Sequence, residues 1–129
     1  MAKKVLVVDD EAHILHVVSL KLRNAGFDVI TAADGEEALE LAAAEQPDLL
    51  ITDYHMPLMN GVELCCALRR QGETASIPAI MLTARGYALE AEDMERTGIR
   101  NVLSKPFSPR ELLIAVQEVI EGSDVEVAP

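Results

Sequence analysis

The chain has 129 residues, of which 50% are hydrophobic, and its 22 acidic and 11 basic residues give a formal charge of -11. This length and apolar content suffice for one domain with its own core, so folding needs neither disulfides nor a structural metal. The negative charge has the wrong sign for holding a phosphate backbone, and we expect no direct binding of nucleic acid by this domain.

The N-terminal segment MAKKVLVVDD reaches acidic residues before any long apolar stretch, which indicates neither a secretory signal nor a membrane anchor. No apolar run approaches the roughly 20 residues that a membrane span requires. The adjacent cysteines, Cys65 and Cys66, do not resemble the disulfide framework of a secreted protein and fit a reducing compartment. We therefore expect a cytoplasmic protein without membrane contact.

Five short runs rich in Val, Ile and Leu alternate with segments whose apolar residues recur every three or four positions. The predicted strands are, in chain order, KVLVV, FDVIT, DLLIT, PAIMLT and RNVLS. The predicted helices cover residues 11–26, 35–45, 61–71, 86–97 and 109–121. Short apolar strands interleaved with helices predict an α/β fold, with a five-stranded parallel sheet covered on both faces by five helices.

Capping residues mark the helix boundaries. Asp34, Asn60 and Ser108 are predicted N-caps, and each is followed three positions later by a glutamate that can complete a capping box. Helix ends are predicted from the glycines at positions 26, 72, 98 and 122.

Residues that could take part in binding or catalysis follow four of the five predicted strands. They are Asp9 and Asp10 after the first strand, Asp53 after the third, Thr83 at the end of the fourth, and Lys105 and Pro106 after the fifth. The carboxyl ends of parallel strands share one edge of a sheet, where α/β proteins bind their ligands. We therefore expect these residues to lie together.

Three carboxylates at one edge predict a metal site. Neighbouring strands lie about 4.8 Å apart, so acids at their ends repel one another unless a cation lies between them. Carboxylate oxygens with room for water suit Mg²⁺. Such an ion would let Asp53 attack phosphorus, with Lys105 and Thr83 bound to oxygens of the transferred phosphoryl group.

The segments VLVVDDE, DLLITDYHMPLMNG, IMLTA and SKPF, in this order, resemble the receiver domain of bacterial two-component response regulators. The likeness extends over residues 3–121. It implies a flavodoxin-like, doubly wound sheet with strand order 2-1-3-4-5. We assign residues 1–121 to a receiver domain and residues 122–129 to a flexible tail. The implied function is that of a phosphorylation-activated signalling switch rather than a turnover enzyme.

The resemblance also implies a role for each residue of the metal site. Asp53 would accept the phosphoryl group, Asp10 and Asp53 would bind Mg²⁺ directly, and Asp9 would bind it through water. The backbone carbonyl of His55 would complete the protein ligands.

The fourth and fifth strand ends carry the remaining implied roles. Thr83 and Lys105 would contact phosphoryl oxygens, and the Lys105–Pro106 peptide would be cis. Many receivers have an aromatic switch residue three positions before the lysine, where this chain has Val102, so an aromatic-type switch is not expected. The residues two positions after Asp53 and two after Thr83, His55 and Arg85, are our candidates for setting the lifetime of the acyl phosphate.

Partners follow from the same resemblance. A sensor histidine kinase or a histidine phosphotransfer protein would supply the phosphoryl group. An output protein would bind the face formed by the fourth helix, the fifth strand and the fifth helix. The acidic segment at residues 90–98 either contributes to that face or is simply a solvated helix surface.

Other functions are less compatible with the residues. A phosphatase of the aspartyl-phosphate class needs a second acid two positions after its nucleophile, where this chain has His55. A flavin carrier needs aromatic residues around the ring, but only 3% of this chain is aromatic. A receiver that acts as an interaction module without phosphorylation remains the alternative, although the complete acidic set argues against it.

Two further groups receive no chemical role. Cys65 and Cys66 fit buried structural thiols on the third predicted helix. His13 and His16 lack a third metal ligand and fit a half-exposed helix face.

Overall fold

The computed structural model describes residues 2–84 and 95–125. The elements follow one another as β1 Lys4–Val8, α1 Ala12–Asn24, β2 Asp28–Ala32, α2 Gly35–Glu45, β3 Leu49–Asp53, α3 Gly61–Arg69 and β4 Ala79–Thr83. The chain continues with a helical segment at residues 95–97, labelled α4, then β5 Ile99–Ser104 and α5 Pro109–Val125. Most of the predicted helix at 86–97 lies outside the described residues, and so do Arg85 and residues 126–129.

The five strands form one parallel sheet in the order β2-β1-β3-β4-β5. Strand β1 lies between β2 and β3, so that Val8 pairs with both Ala32 and Thr52. This arrangement confirms the predicted α/β class and strand order. It also makes the carboxyl ends of β1 and β3 neighbours, which brings the residues that follow them together.

Alternate residues of the central strands supply two separate cores, one on each face of the sheet. One core combines sheet residues with α2 and α3, and includes Leu6, Val8, Leu50, Met81, Ala38 and Leu64. The other combines sheet residues with α1 and α5, and includes Val5, Val7, Ile51, Leu82, Leu22 and Val116. Every residue of β3 and β4 is buried. Helices on both faces therefore hold the sheet rigidly beneath the edge that carries the polar residues.

The three predicted N-caps are confirmed. The Asp34 carboxylate accepts the Glu37 N–H at 2.8 Å. Asn60 and Glu63 form a reciprocal capping box, with side-chain to backbone distances of 2.8 and 2.9 Å. A matching exchange links residues 108 and 111 at the start of α5. These caps satisfy N–H groups that have no partner within the helix, and so define where each loop ends.

One predicted helix end is wrong. Gly122 was expected to terminate the last helix, yet α5 continues through it to Val125. A glycine inside a helix costs only about 1 kcal/mol relative to alanine and does not by itself stop the helix. Conversely, α2 ends without a glycine, because Gln46 takes the left-handed conformation at its C-cap with φ of 51°. The division between a domain at 1–121 and a tail at 122–129 stays a prediction.

Candidate functional site

Asp9 and Asp53 lie side by side because the strands that precede them are paired. Asp9 follows β1 directly, and its N–H donates to the Ala32 carbonyl of β2 at 3.2 Å. Asp53 is the last residue of β3, and the next N–H, that of Tyr54, donates to the Leu82 carbonyl of β4 at 2.8 Å. Backbone hydrogen bonds to neighbouring strands thus fix both acids. Their exposed fractions are only 0% and 4%.

The predicted group of three carboxylates is present. One oxygen from each of Asp9, Asp10 and Asp53 lies within 4.8 Å of the others, with Asp10 exposed and the other two buried. Burial raises the pKa of both Asp9 and Asp53, and this effect outweighs the lowering by the ammonium of Lys105. The charge of Asp53 also raises the pKa of Asp9, and the charge of Asp10 also raises the pKa of Asp53. A divalent cation in this group would stabilise the charged forms of Asp9 and Asp53. Carboxylate oxygens are hard donors of the kind that Mg²⁺ prefers.

Lys105 reaches into the same group from the end of β5. Its Nζ lies 3.1 Å from Asp53 Oδ1, 3.3 Å from Asp9 Oδ2 and 3.3 Å from Glu11 Oε1. Burial lowers the pKa of Lys105, but the carboxylates of Asp53 and Asp9 outweigh burial and leave that pKa raised. The lysine is therefore a fixed positive charge beside the candidate acceptor.

Thr83 and Lys105 are joined through the backbone. The Lys105 N–H donates to the Thr83 carbonyl at 2.7 Å, and the Lys105–Pro106 peptide is cis, as the resemblance implied. The Thr83 side chain is fully buried, and its hydroxyl oxygen has no hydrogen-bond partner among the described residues. A buried hydroxyl without a partner is unfavourable. Reorientation toward an acceptor at the site would remove that cost.

The loop between β3 and α3 forms the next part of the rim. His55 is exposed, and its ring packs edge-on against Tyr54 with the centroids 4.7 Å apart. The Gly61 N–H donates to the Tyr54 carbonyl at 2.9 Å, which folds the loop back onto the end of β3. Leu58 at the tip is fully exposed and has a φ of +70°. His55 thus stands at the rim, two residues after Asp53.

The remaining predicted residues differ in their relation to the site. Val102 lies in β5 opposite Met81 and packs, half-buried, against the core formed with α2 and α3. Arg85 lies outside the described residues. Cys65 is buried, as expected, and burial raises the pKa of its thiol to about 12, whereas Cys66 is only half-buried. His13 and His16 are exposed on α1.

The sequence interpretation missed Glu11, the third carboxylate that contacts Lys105. One signal was available. Glutamate is a poor N-cap residue, and Glu11 occupies the N-cap of α1 directly after the acid pair of residues 9 and 10. A poor cap at a helix start beside a predicted cation site indicates that the side chain has another partner. The sequence does not identify that partner, because the contact depends on where the end of β5 places Lys105 at the carboxyl edge of the sheet.

Comparison with known proteins decides the family. Residues 5–117 match the protein family described as the response regulator receiver domain. The chain belongs to this family. As a receiver domain it is a signalling switch rather than an enzyme that turns over an external substrate.

Individual relatives agree with this assignment. The chain is 41% identical over 125 residues to the alkaline phosphatase synthesis transcriptional regulatory protein PhoP of Bacillus subtilis, covering 97% of the chain and 51% of that protein. The chain thus spans about half the length of this curated relative.

Solved structures extend the comparison. The chemotaxis protein CheY4 of Vibrio cholerae superposes with a TM-score of 0.85 at 39% identity, covering 92% of this chain and 99% of that one. The receiver domain of the sensor histidine kinase PA1611 of Pseudomonas aeruginosa superposes with a TM-score of 0.81 at 28% identity, covering 94% and 99%. That structure holds a magnesium ion in its active site cleft.

No helix within the described residues combines the length and the apolar character that crossing a bilayer demands.

Proposed function

We propose that this receiver accepts a phosphoryl group on Asp53 from the phosphohistidine of a sensor kinase or a phosphotransfer protein, in a Mg²⁺-dependent reaction. The observation that carries the proposal is the placement of Asp53. Its carboxylate lies 3.1 Å from the Lys105 ammonium and within 4.8 Å of two further carboxylates at the same sheet edge. The proposed nucleophile thus lies beside an ammonium group and next to the acids that we propose hold the metal ion.

The residues that would hold the ion are Asp9, Asp10 and Asp53, together with the backbone carbonyl of His55. Asp10 and Asp53 would bind it directly and Asp9 through water. Bound there, Mg²⁺ would neutralise charge on an incoming phosphoryl group. The magnesium ion in the active site cleft of the related PA1611 receiver supports the choice of metal.

In the transfer, a carboxylate oxygen of Asp53 attacks phosphorus while the bond from phosphorus to the donor imidazole nitrogen breaks. The electron pair of that bond returns to the imidazole, and an acyl phosphate forms on Asp53. The Lys105 ammonium then binds a phosphoryl oxygen as a point charge. The Thr83 hydroxyl gains an acceptor that it lacks among the described residues. His55 and Arg85 are the residues that we expect to influence water attack on the acyl phosphate.

Partner surfaces form the second part of the proposal. The output protein binds the face of α4, β5 and α5. Two features support this face: β5 is an edge strand of the sheet, and Ile114 on α5 has an exposed fraction of 46%. With Val102 at the position of the usual aromatic residue, the signal reaches this face without an aromatic rotation. A cytoplasmic location, favoured by the free cysteines, belongs to the same proposal.

Transcriptional output is named for relatives about twice as long as this chain, such as PhoP. The charge of -11 does not favour DNA binding by the receiver. We propose that this domain itself makes no direct contact with nucleic acid.

The test is the intact mass of the chain after incubation with a small phosphodonor. We expect the mass of one phosphoryl group to be gained with Mg²⁺, and no gain with EDTA or in Asp53→Asn. Asp28→Asn, which removes an exposed acid at the far end of β2, is the matched control and should be labelled like the parent chain. If the parent chain gains no mass under conditions that label another receiver, the phosphorylation-independent interaction module becomes the better account.

A further inference from the structure

Glu11 occupies the N-cap position of α1, yet its side chain does not cap the helix. Its backbone is extended, with φ of -96° and ψ of 113°, and the side chain makes no hydrogen bond to the first turn. The backbone N–H of Glu11 instead donates to Asp9 Oδ1 at 2.9 Å. Short side chains such as those of Ser and Asp normally cap helices. The longer Glu11 side chain has its partner elsewhere.

That partner is the ammonium of Lys105, which Glu11 Oε1 approaches to 3.3 Å. The ammonium donates hydrogen bonds to Asp9 and Glu11, and the Asp53 carboxylate, 3.1 Å away, completes a shell of three acids around its three N–H groups. The three acids differ in exposure: the side chains are 0%, 6% and 62% exposed for Asp9, Asp53 and Glu11. Glu11 can therefore exchange Lys105 for water more easily than either buried acid can.

We propose that Glu11 is a positioning residue for Lys105. It holds the ammonium before phosphorylation and opposes its transfer to the phosphoryl group, so that it lowers the stability of the phosphorylated arrangement. This inference rests on the proposed function. A phosphoryl group brings further negative charge and three strong acceptor oxygens to Asp53. Lys105 must release an acceptor to bind them, and Glu11 is the one whose release costs least.

The expected effect is moderate, because an ion pair with an exposed acid is weakened by solvent. Such pairs change equilibria by about 1.5-fold to fivefold. Removing the pair should therefore increase affinity for a phosphoryl mimic by a factor in that range, measured at saturating Mg²⁺ so that a change in metal affinity does not contribute.

The experiment uses the whole chain and beryllium trifluoride as the mimic. Glu11→Gln removes the charge, whereas Glu11→Asp keeps the charge but shortens the side chain and brings it within reach of the helix cap. Glu36→Gln is the matched control, since it removes an exposed acid from the first turn of α2. Two quantities are measured: affinity for the mimic, and the side-chain NMR signals of Lys105 in the metal-free chain.

We expect both Glu11 variants to move the Lys105 signals and to bind the mimic more tightly, while Glu36→Gln does neither. Unchanged Lys105 signals in Glu11→Gln would overturn the proposal. So would parental affinity in Glu11→Asp, because that result assigns the effect to long-range charge. If the parent chain takes up neither mimic nor phosphoryl group, the proposed function fails, and the role of Glu11 in phosphorylation fails with it even where the Lys105 signals move.

Discussion

The backbone of Gly61 lies against the carbonyl oxygen of Asp53, so that a Cβ at position 61 would stand only 2.6 Å from that oxygen. Gly61 begins α3, and its own N–H is bonded to the Tyr54 carbonyl. The helix start is therefore packed directly on the backbone of the candidate phospho-acceptor. A side chain at this position must displace either the helix or the end of β3.

Gly61→Ala should lower the free energy of unfolding by about 1–3 kcal/mol, the usual range for overpacking. It should also slow phosphorylation of Asp53, because the carboxylate moves with its backbone. Urea denaturation and labelling by a small phosphodonor measure the two effects. Gly72→Ala is the control, since a Cβ there meets nothing within 4 Å. Equal effects of the two substitutions would contradict the packing argument.

Leu58→Asn should stabilise the chain. Leu58 has a φ of +70° and a fully exposed side chain, so it has backbone strain and no burial to offset it. The left-handed conformation costs most residues about 1–2 kcal/mol, and asparagine adopts it more readily. Thermal unfolding should show a higher Tm. Leu20→Asn, at an exposed position within α1, should instead lower the Tm because asparagine is a weaker helix former.

Ser19→Ala should also stabilise the chain. The Ser19 side chain is 4% exposed, and its hydroxyl has no hydrogen-bond partner among the described residues. Burying an unpaired hydroxyl costs about 1–3 kcal/mol, and alanine is the better helix former. The contrasting variant is Thr74→Val, because the Thr74 hydroxyl donates to the Leu68 carbonyl at 2.7 Å. We expect urea denaturation to show a gain for the first variant and a loss for the second; a loss for both would refute the interpretation of Ser19.

The metal-free chain should become less stable as the pH rises from acid. Burial raises the pKa of Asp9 and Asp53 above the ordinary value of 3.8, so the folded state holds protons that the unfolded state has released. Stability therefore falls as pH rises through the window between the unfolded and folded pKa values, and the loss persists above it. The raised pKa of Lys105 means that this residue stabilises the folded state at lower pH. That stabilisation is lost in the alkaline range, as the pH rises through the folded pKa.

Urea denaturation in EDTA at a series of pH values measures this effect. Asp9→Asn should weaken the pH dependence and raise stability at neutral pH, since the amide can still accept the Glu11 N–H. Adding Mg²⁺ to the parent chain should restore stability above the window. A metal-free chain whose stability increases steadily from pH 4 to neutral pH would contradict the prediction, because it would show that the attraction of Lys105 outweighs burial at the two acids.

The positions of the main site residues could be predicted because they depend on patterns that are local in the sequence. Apolar runs followed by Asp9 and Asp53 indicate strand ends, and the carboxyl ends of parallel strands share an edge whatever their order. The Asn60 capping box likewise needs only residues three positions apart. The order of the strands itself came from the family resemblance, because periodicity alone does not distinguish neighbouring strands from distant ones.

Other features depend on tertiary packing and could not be predicted. Glu11 and Lys105 are 94 positions apart in the sequence, and their contact depends on how the segments after β1 and β5 are placed in the fold. The burial of the Thr83 hydroxyl depends on side-chain orientation within a covered sheet. Gly122 matched a helix end by local propensity, yet α5 continues past it to Val125.

The central claim is that Asp53 accepts the phosphoryl group, and chemical trapping tests it most directly. After labelling with a small phosphodonor and Mg²⁺, borohydride reduces an acyl phosphate on aspartate to homoserine, which peptide mass spectrometry can locate. We predict homoserine at position 53 and at no other acid. Homoserine at Asp9 or Asp10, a phosphoryl group retained on His13 or His16, or an unmodified chain would contradict the account.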